Sequence, residues 1–508
     1  MDTIVGVRSG RVRGRTVGGV STFLGIPYAA PPSGERRLRP PQPVEPWDGV
    51  RDATVLGPEP PQPDFGSHDP TGFVYDPALP GDDCLNLNVW TPDAGAGGMP
   101  VMVWIPGGAF QYSSGGSYDG SRFARDGVVC VTINYRTGAD GFLYLGEGDD
   151  GADLGLLDQV AALTWVRDGI AAFGGDPDRV TVFGESAGAM SIGTLLSMPR
   201  AEGLFRRAVL QSGAAHHVVP AAEAARIGRR LAEVLGVPAT RDAVGQVPVD
   251  RLLAAQGQLD AEVTSNPDPA RWGREVATST MPFHPVVDGD VVPAAPMDRI
   301  AAGAGRDVDV LIGTNSDDWR MFPVFSGLID RVTDEVLSGS VEAYGLQCLA
   351  AYGLPVETAL RAYRGAHPDA GPGDLLAAVQ TDWWVRIPAV RLADAHAPCP
   401  GATFMYEFAW PSPAFGGRLG ACHALELPFV FDTLDRGTEQ MMGGALGSDP
   451  PQQLADTVHG AWVAFATCGD PGWPRYGPDR RATMRLDIRP SVVEDPYARE
   501  RALWAGVR

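Results

Sequence analysis

The chain has 508 residues, 44% of them hydrophobic and 20% charged, with 41 Lys and Arg against 62 Asp and Glu for a formal net charge of -21. That composition suits a packed globular core and argues against wholesale disorder, and the acidic excess disfavours nucleic acid and anionic membrane surfaces as partners. No run approaches the roughly 18 continuous apolar residues of a membrane span, the start at Met1 lacks a basic segment followed by an apolar one, and six scattered cysteines lack metal-ligand spacing, so the expectation is a cytoplasmic protein with no bound metal.

In chain order, the first irregular stretch is the Pro- and Gly-rich segment Pro58 to Asp83. A buried strand is expected at Val101 to Ile105, followed at once by the turn Pro106-Gly107-Gly108-Ala109-Phe110. A second strand is expected at Val128 to Tyr135 and a third at Arg179 to Phe183. Between them Leu154 to Phe173 repeats apolar residues at three- and four-residue steps, the pattern of a helix with one face on a sheet. Further strands at Arg207 to Leu210, Val308 to Gly313 and Phe404 to Phe408, with a helix at Ala222 to Leu235, continue the alternation. Near-continuous apolar strands alternating with helices give an α/β class: a central, mostly parallel sheet flanked by helices. The segment Gly365 to Gly373 is too short for a linker, and residues after about Arg485 are polar and Pro-interrupted, which reads as a loosely held tail. The chain is read as one catalytic domain over residues 1–508 with insertions.

The third strand runs into Gly184-Glu185-Ser186-Ala187-Gly188 and then into a helix at Ala189 to Leu196. Gly-x-Ser-x-Gly alone is a weak signal; between a strand and a helix it marks a sharp turn that exposes a nucleophilic serine, with small neighbours needed on either side. The competing reading is a Gly-rich turn in which Ser186 only caps the helix. The glycine turn after Ile105 could supply fixed N–H donors for a tetrahedral oxyanion, from Gly108 and Ala109 together with Ala187, or could be a plain tight turn. Among eight histidines, His423 follows an expected strand on a loop that could lift its imidazole over the sheet as general base. The orienting acid should fall between serine and histidine in chain order, and both Asp317 and Asp318 follow the strand that ends at Gly313.

These residues, with Gly25-Ile26-Pro27-Tyr28-Ala29, Asp83-Cys84-Leu85-Asn86-Leu87-Asn88-Val89-Trp90, Phe173-Gly174-Gly175-Asp176-Pro177, Gln211-Ser212-Gly213, Gly313-Thr314-Asn315, His423-Ala424-Leu425-Glu426-Leu427-Pro428 and Gly469-Asp470-Pro471, resemble the type-B carboxylesterase family nearly end to end. The resemblance implies the α/β-hydrolase fold, a triad of Ser186, Asp318 and His423, an oxyanion hole from Gly108, Ala109 and Ala187, and no cofactor. It also departs in places: Asp318 stands where Glu is usual, Pro106 where His or Tyr precedes the glycines, and Trp319 where a small Gly follows the acid. No cysteine precedes Cys84 to pair with it, consistent with a reducing compartment.

In the family the loop before Cys84 rims a deep gorge, which makes Phe65, Phe73 and Tyr75 rim candidates. Phe110 and Trp319 are wall candidates, as are Trp383 and Trp384. His216 and His217 lie within possible reach of the acyl side, although a solvated pair is the plainer reading of them. The expected partner is a small neutral ester cleaved through an acyl-enzyme; monomer and homo-oligomer both remain open. An amidase, carbamate hydrolase or lipase would use the same residues, and a non-catalytic scaffold is the alternative from another class.

Overall fold

The computed structural model describes residues 1–63, 80–112, 114–146, 151–339, 348–435 and 444–507. Among the described residues thirteen strands join in one sheet. Its middle is parallel, in the spatial order Val129–Ile133, Met99–Ile105, Gly175–Glu185, Arg207–Gln211, Asp309–Asn315, Thr403–Phe408 and Ala482–Leu486. The expected α/β class and mostly parallel sheet are therefore present.

Alternate residues of these strands bury into two separate cores. Val101, Val103, Ile105, Val180, Val182, Ala208 and Leu210 join one, with helices Leu154–Gly169 and Ala187–Leu195. Met102, Trp104, Phe183, Val209 and Leu311 join the other, with Leu454, Val458, Trp462 and Phe465 of helix Gln452–Cys468. A strand covered on both faces has no solvent side, which is why these segments read as continuous apolar runs.

Two regions differ from the sequence expectation. Asp2–Val7, Gly10–Val17 and Val20–Pro27 form an antiparallel meander that joins the sheet through Asn86–Thr91. The segment after Arg485 is held in place: Ser491–Glu494 pairs antiparallel with Ala482–Leu486, the Tyr497 hydroxyl donates to Glu407, and Trp504 is buried. Polar side chains on the outside of a paired strand account for its tail-like composition.

The strand order reverses around Met99–Ile105, since the next strand in sequence lies on one side of it and Gly175–Glu185 on the other. Ligands of open α/β sheets bind beyond the carboxyl ends of strands at such a reversal. The register Ile105↔Gly184 and Glu185↔Gln211 brings the glycine turn and Ser186 to that edge together.

Candidate active site

Ser186 has φ 54° and ψ -125°, a strained conformation for a residue with a side chain, and is partly exposed between buried Glu185 and Ala187. The turn is paid for by its neighbours: a Cβ on Gly188 would lie 2.0 Å from the Ile105 carbonyl oxygen, and one on Gly184 would lie 2.6 Å from it. Neither position has room for anything but glycine. The serine therefore sits on an overdetermined elbow rather than capping an ordinary helix.

The glycine turn folds over this elbow. A Cβ on Gly107 would come within 3.2 Å of the Ser186 Cβ. Gly108 takes φ 117°, followed by Ala109 at 53° and Phe110 at 59°. The Gly108 carbonyl accepts from Gln111 and Tyr112, and the Phe110 carbonyl accepts from Gly138, so the turn is pinned by its carbonyls. The N–H groups of Gly108, Ala109 and Ala187 donate to no backbone carbonyl among the described residues. Pinned carbonyls with unspent N–H donors are what an oxyanion site requires.

Asp318 and Asp317 separate cleanly. Asp318 is fully buried, with Oδ1 2.5 Å from His423 Nδ1. Its Oδ2 accepts from Ser212 Oγ at 2.6 Å and from the Asn315 N–H at 2.9 Å. The His423 N–H also donates to the Asp318 main-chain oxygen at 2.7 Å, which draws the two loops together and lets the shorter acid reach. Asp317 instead accepts from Ser316 Oγ and the Ala421 N–H, bracing the loop ahead of the histidine.

His423 Nε2 makes no hydrogen bond to Ser186; it lies 3.1 Å from Glu185 Oε1, an ion-pair approach that lacks hydrogen-bond alignment. Catalytic hydrogen bonds are often long before substrate binds. Burial drives the Glu185 carboxyl up to about 8, with attraction from His423 opposing and repulsion from Glu426 and Asp318 adding. Burial pushes the imidazole down, but the carboxylates of Glu185 and Asp318 outweigh it and raise His423 to about 9. Near neutral pH both groups are thereby biased towards their protonated forms.

Behind the imidazole, buried Glu426 accepts from Gln211 at 3.0 Å and from Asn315 at 2.6 Å, and Trp462 Nε1 donates to Gln211. Burial raises the Glu426 carboxyl. Glu185 and Glu426 were missed as site residues in the sequence, although both lie inside the quoted motifs, one beside Ser186 and the other three residues after His423.

The remaining candidates divide. Phe110 is buried edge-on against Phe142 at 5.2 Å, a core residue rather than a wall. His217 is not solvated: it is buried, its Nε2 lies 2.9 Å from the Trp384 carbonyl, and its ring stacks on Trp384. His216 is partly buried. Trp319 lies 5.9 Å from the His423 ring. Phe65, Phe73 and Tyr75 lie outside the described residues. Among the described residues no cluster of His, Cys, Asp and Glu could hold a metal, and no helix is long and apolar enough to cross a membrane.

A family model described as Carboxylesterase family matches residues 1–504. The chain is 39% identical to para-nitrobenzyl esterase of Bacillus subtilis (strain 168) over 516 aligned residues, which cover 98% of this chain and 97% of that protein. It is 35% identical to phenmedipham hydrolase of Pseudarthrobacter oxydans, with 95% and 94% covered. A crystal structure of a Geobacillus stearothermophilus carboxylesterase matches with a TM-score of 0.84 at 37% identity, over 99% of this chain and 100% of that one.

Proposed function

The chain belongs to the carboxylesterase family and is a carboxylic ester hydrolase, and from that premise we propose that Ser186, His423 and Asp318 carry the reaction through an acyl-enzyme. The observation that carries this reading is the Asp318 to His423 contact at 2.5 Å beside a serine held at φ 54°. Ser186 Oγ attacks the ester carbonyl carbon and its proton passes to His423 Nε2. The N–H groups of Gly108, Ala109 and Ala187 receive the oxyanion. The C–O bond to the alcohol then breaks, and Nε2 returns the proton to the leaving oxygen. Water repeats the sequence on the acyl-serine, releasing the acid and restoring Ser186. Asp318 holds the imidazole with Nδ1 protonated.

The substrate is a neutral ester of modest size, a reading supported by the protein's net charge of -21, which repels anions. Six free thiols and bacterial relatives support a bacterial enzyme of a reducing compartment such as the cytoplasm. One sheet that takes strands from Asp2 to Glu494 supports a single catalytic unit. The test is hydrolysis of para-nitrophenyl acetate by wild type and Ser186→Ala: loss in the variant is expected, and equal turnover would overturn the assignment.

A further inference from the structure

The loop that carries Asp318 is anchored at both ends by one helical segment. Ser316 is the residue at which the chain leaves the sheet: its N–H donates to the Phe408 carbonyl at 2.9 Å, just past the last paired residues, Asn315 and Phe408. Its carbonyl lies beyond the ladder and accepts from Arg386 Nη2 at 2.6 Å. Three residues on, the Trp319 N–H donates to Thr381 Oγ1 at 3.0 Å. Asp318 therefore sits between two anchors, one at the end of helix Pro372–Thr381 and the other at the end of the π turn Asp382–Arg386 that continues it.

The π turn has a local cause. Pro388 has no N–H to offer the Trp384 carbonyl four residues back, and His217 Nε2 lies 2.9 Å from that oxygen instead. Asp382 and Arg386, four positions apart, share a face and are both buried. Arg386 Nη1 donates to Asp382 Oδ1. Asp382 Oδ2 accepts from the Tyr363 hydroxyl at 2.5 Å, and that hydroxyl accepts from Trp504 Nε1 at 2.9 Å. The guanidinium carbon lies 4.0 Å from the centroid of the Tyr497 ring, whose hydroxyl donates to Glu407. Tyr497 takes φ 67°, a strained conformation for an aromatic residue that its surroundings must hold. One planar fork thus meets a carboxylate, a main-chain carbonyl and an aromatic face together, which a single ammonium group cannot do. Tyr497 and Trp504 both belong to the segment after Arg485, so the end of the chain is wired through Arg386 to the acid loop.

Resting on the triad reading of the site, we propose that Arg386 is a positioning residue that sets the acid loop through the Ser316 carbonyl, and that Tyr497 of the C-terminal segment holds its guanidinium in place. Arg386 acts on the reaction only through where Asp318 meets His423. A displacement near 1 Å at such a contact costs about 100-fold, and loosening one anchor of several costs about tenfold.

The experiment measures kcat and KM for phenyl acetate by pH-stat with Arg386→Lys, Tyr497→Leu and Tyr497→Phe, each alone and combined with Asp318→Asn. Lysine keeps a positive charge beside Asp382 and loses the fork. The expected result for Arg386→Lys is a fall of about tenfold in kcat with KM within about twofold of wild type. Tyr497→Leu shifts kcat in the same direction, and Tyr497→Phe, which keeps the ring, recovers most of it. In the Asp318→Asn background the effect of Arg386→Lys vanishes, because no carboxylate remains to be placed. An equal fractional fall in both backgrounds would mean general damage to the fold and overturns the proposal, as does a kcat unchanged in both Arg386→Lys and Tyr497→Leu. Should Arg386→Lys fail to fold, Tyr497→Leu decides through the same cycle, since Tyr497 is only partly buried. Asp318→Asn as active as wild type would fail the triad reading instead.

Discussion

Replacing Glu185 with Gln keeps the side chain's shape and removes a charge 3.1 Å from His423 Nε2. At an effective dielectric of about 20 the gross attraction at that distance is about 5 kcal/mol, an upper bound of about 4 pH units on the imidazole. Glu185, raised to about 8 by burial, holds a proton for much of the time near neutrality, which cancels most of that attraction. The remaining effect is about 1 to 2 units. Its sign is fixed: the carboxylate stabilises imidazolium and helps raise His423 to about 9, so its removal lowers that value. The free base then persists to lower pH, and the acidic limb of kcat/KM for phenyl acetate, followed by pH-stat from about pH 5 to 9, moves down by about 1 to 2 units. A limb that stays in place, or moves up, would refute the coupling of these two groups.

Asp318→Asn is expected to cut kcat by about 10³- to 10⁴-fold, because the imidazole loses its tautomer, while Asp317→Asn costs less than about tenfold; parallel kinetics decide, and a reversed order would sink the assignment. Asp158→Ala strands buried Arg136, whose Nε and Nη2 each lie 2.7 Å from that carboxylate, and should lower stability by about 3 to 5 kcal/mol in chemical denaturation. A loss below about 1 kcal/mol would show that the pair is not what holds Arg136 in the core.

What the sequence disclosed about the site is local in the chain. The elbow at Ser186 is a strand, a Gly-flanked turn and a helix in succession, so its geometry is written in adjacent residues. The acid was ambiguous because Asp317 and Asp318 have the same chemistry, and what separates them is contact with His423, more than 100 positions away. Glu185 and Glu426 were hidden for another reason. A carboxylate is ordinarily a surface residue, and nothing in sequence marks one held in a core by Asn315, Gln211 or an imidazole. The N-terminal meander escaped notice because the inward positions of its second strand are Val12, Gly14 and Thr16, which give only one strongly apolar side chain between the exposed Arg11, Arg13 and Arg15 although burial alternates along it. His217 read as solvated because a histidine pair on a loop ordinarily faces water, whereas its partner, Trp384, is distant in sequence.

The proposed use of Asp318 as triad acid rests on the loops around it rather than on a longer reach. The main-chain bond from His423 to Asp318 fixes the separation of the two loops, and Oδ2 is committed to Ser212 and Asn315 while Oδ1 meets the imidazole. Lengthening the acid by a methylene cannot satisfy all three partners, since the site is fully buried and the backbone bond resists separation. Asp318→Glu should therefore impair the enzyme although glutamate is the usual acid among similar sequences: overpacking of about 1 to 3 kcal/mol, and a displacement near 1 Å that costs about 100-fold in kcat. The measurement is kcat for phenyl acetate by Asp318→Glu beside Asp318→Asn. Activity of the Glu variant equal to wild type would mean that the loops adjust freely and that the short acid is incidental to how this site is built.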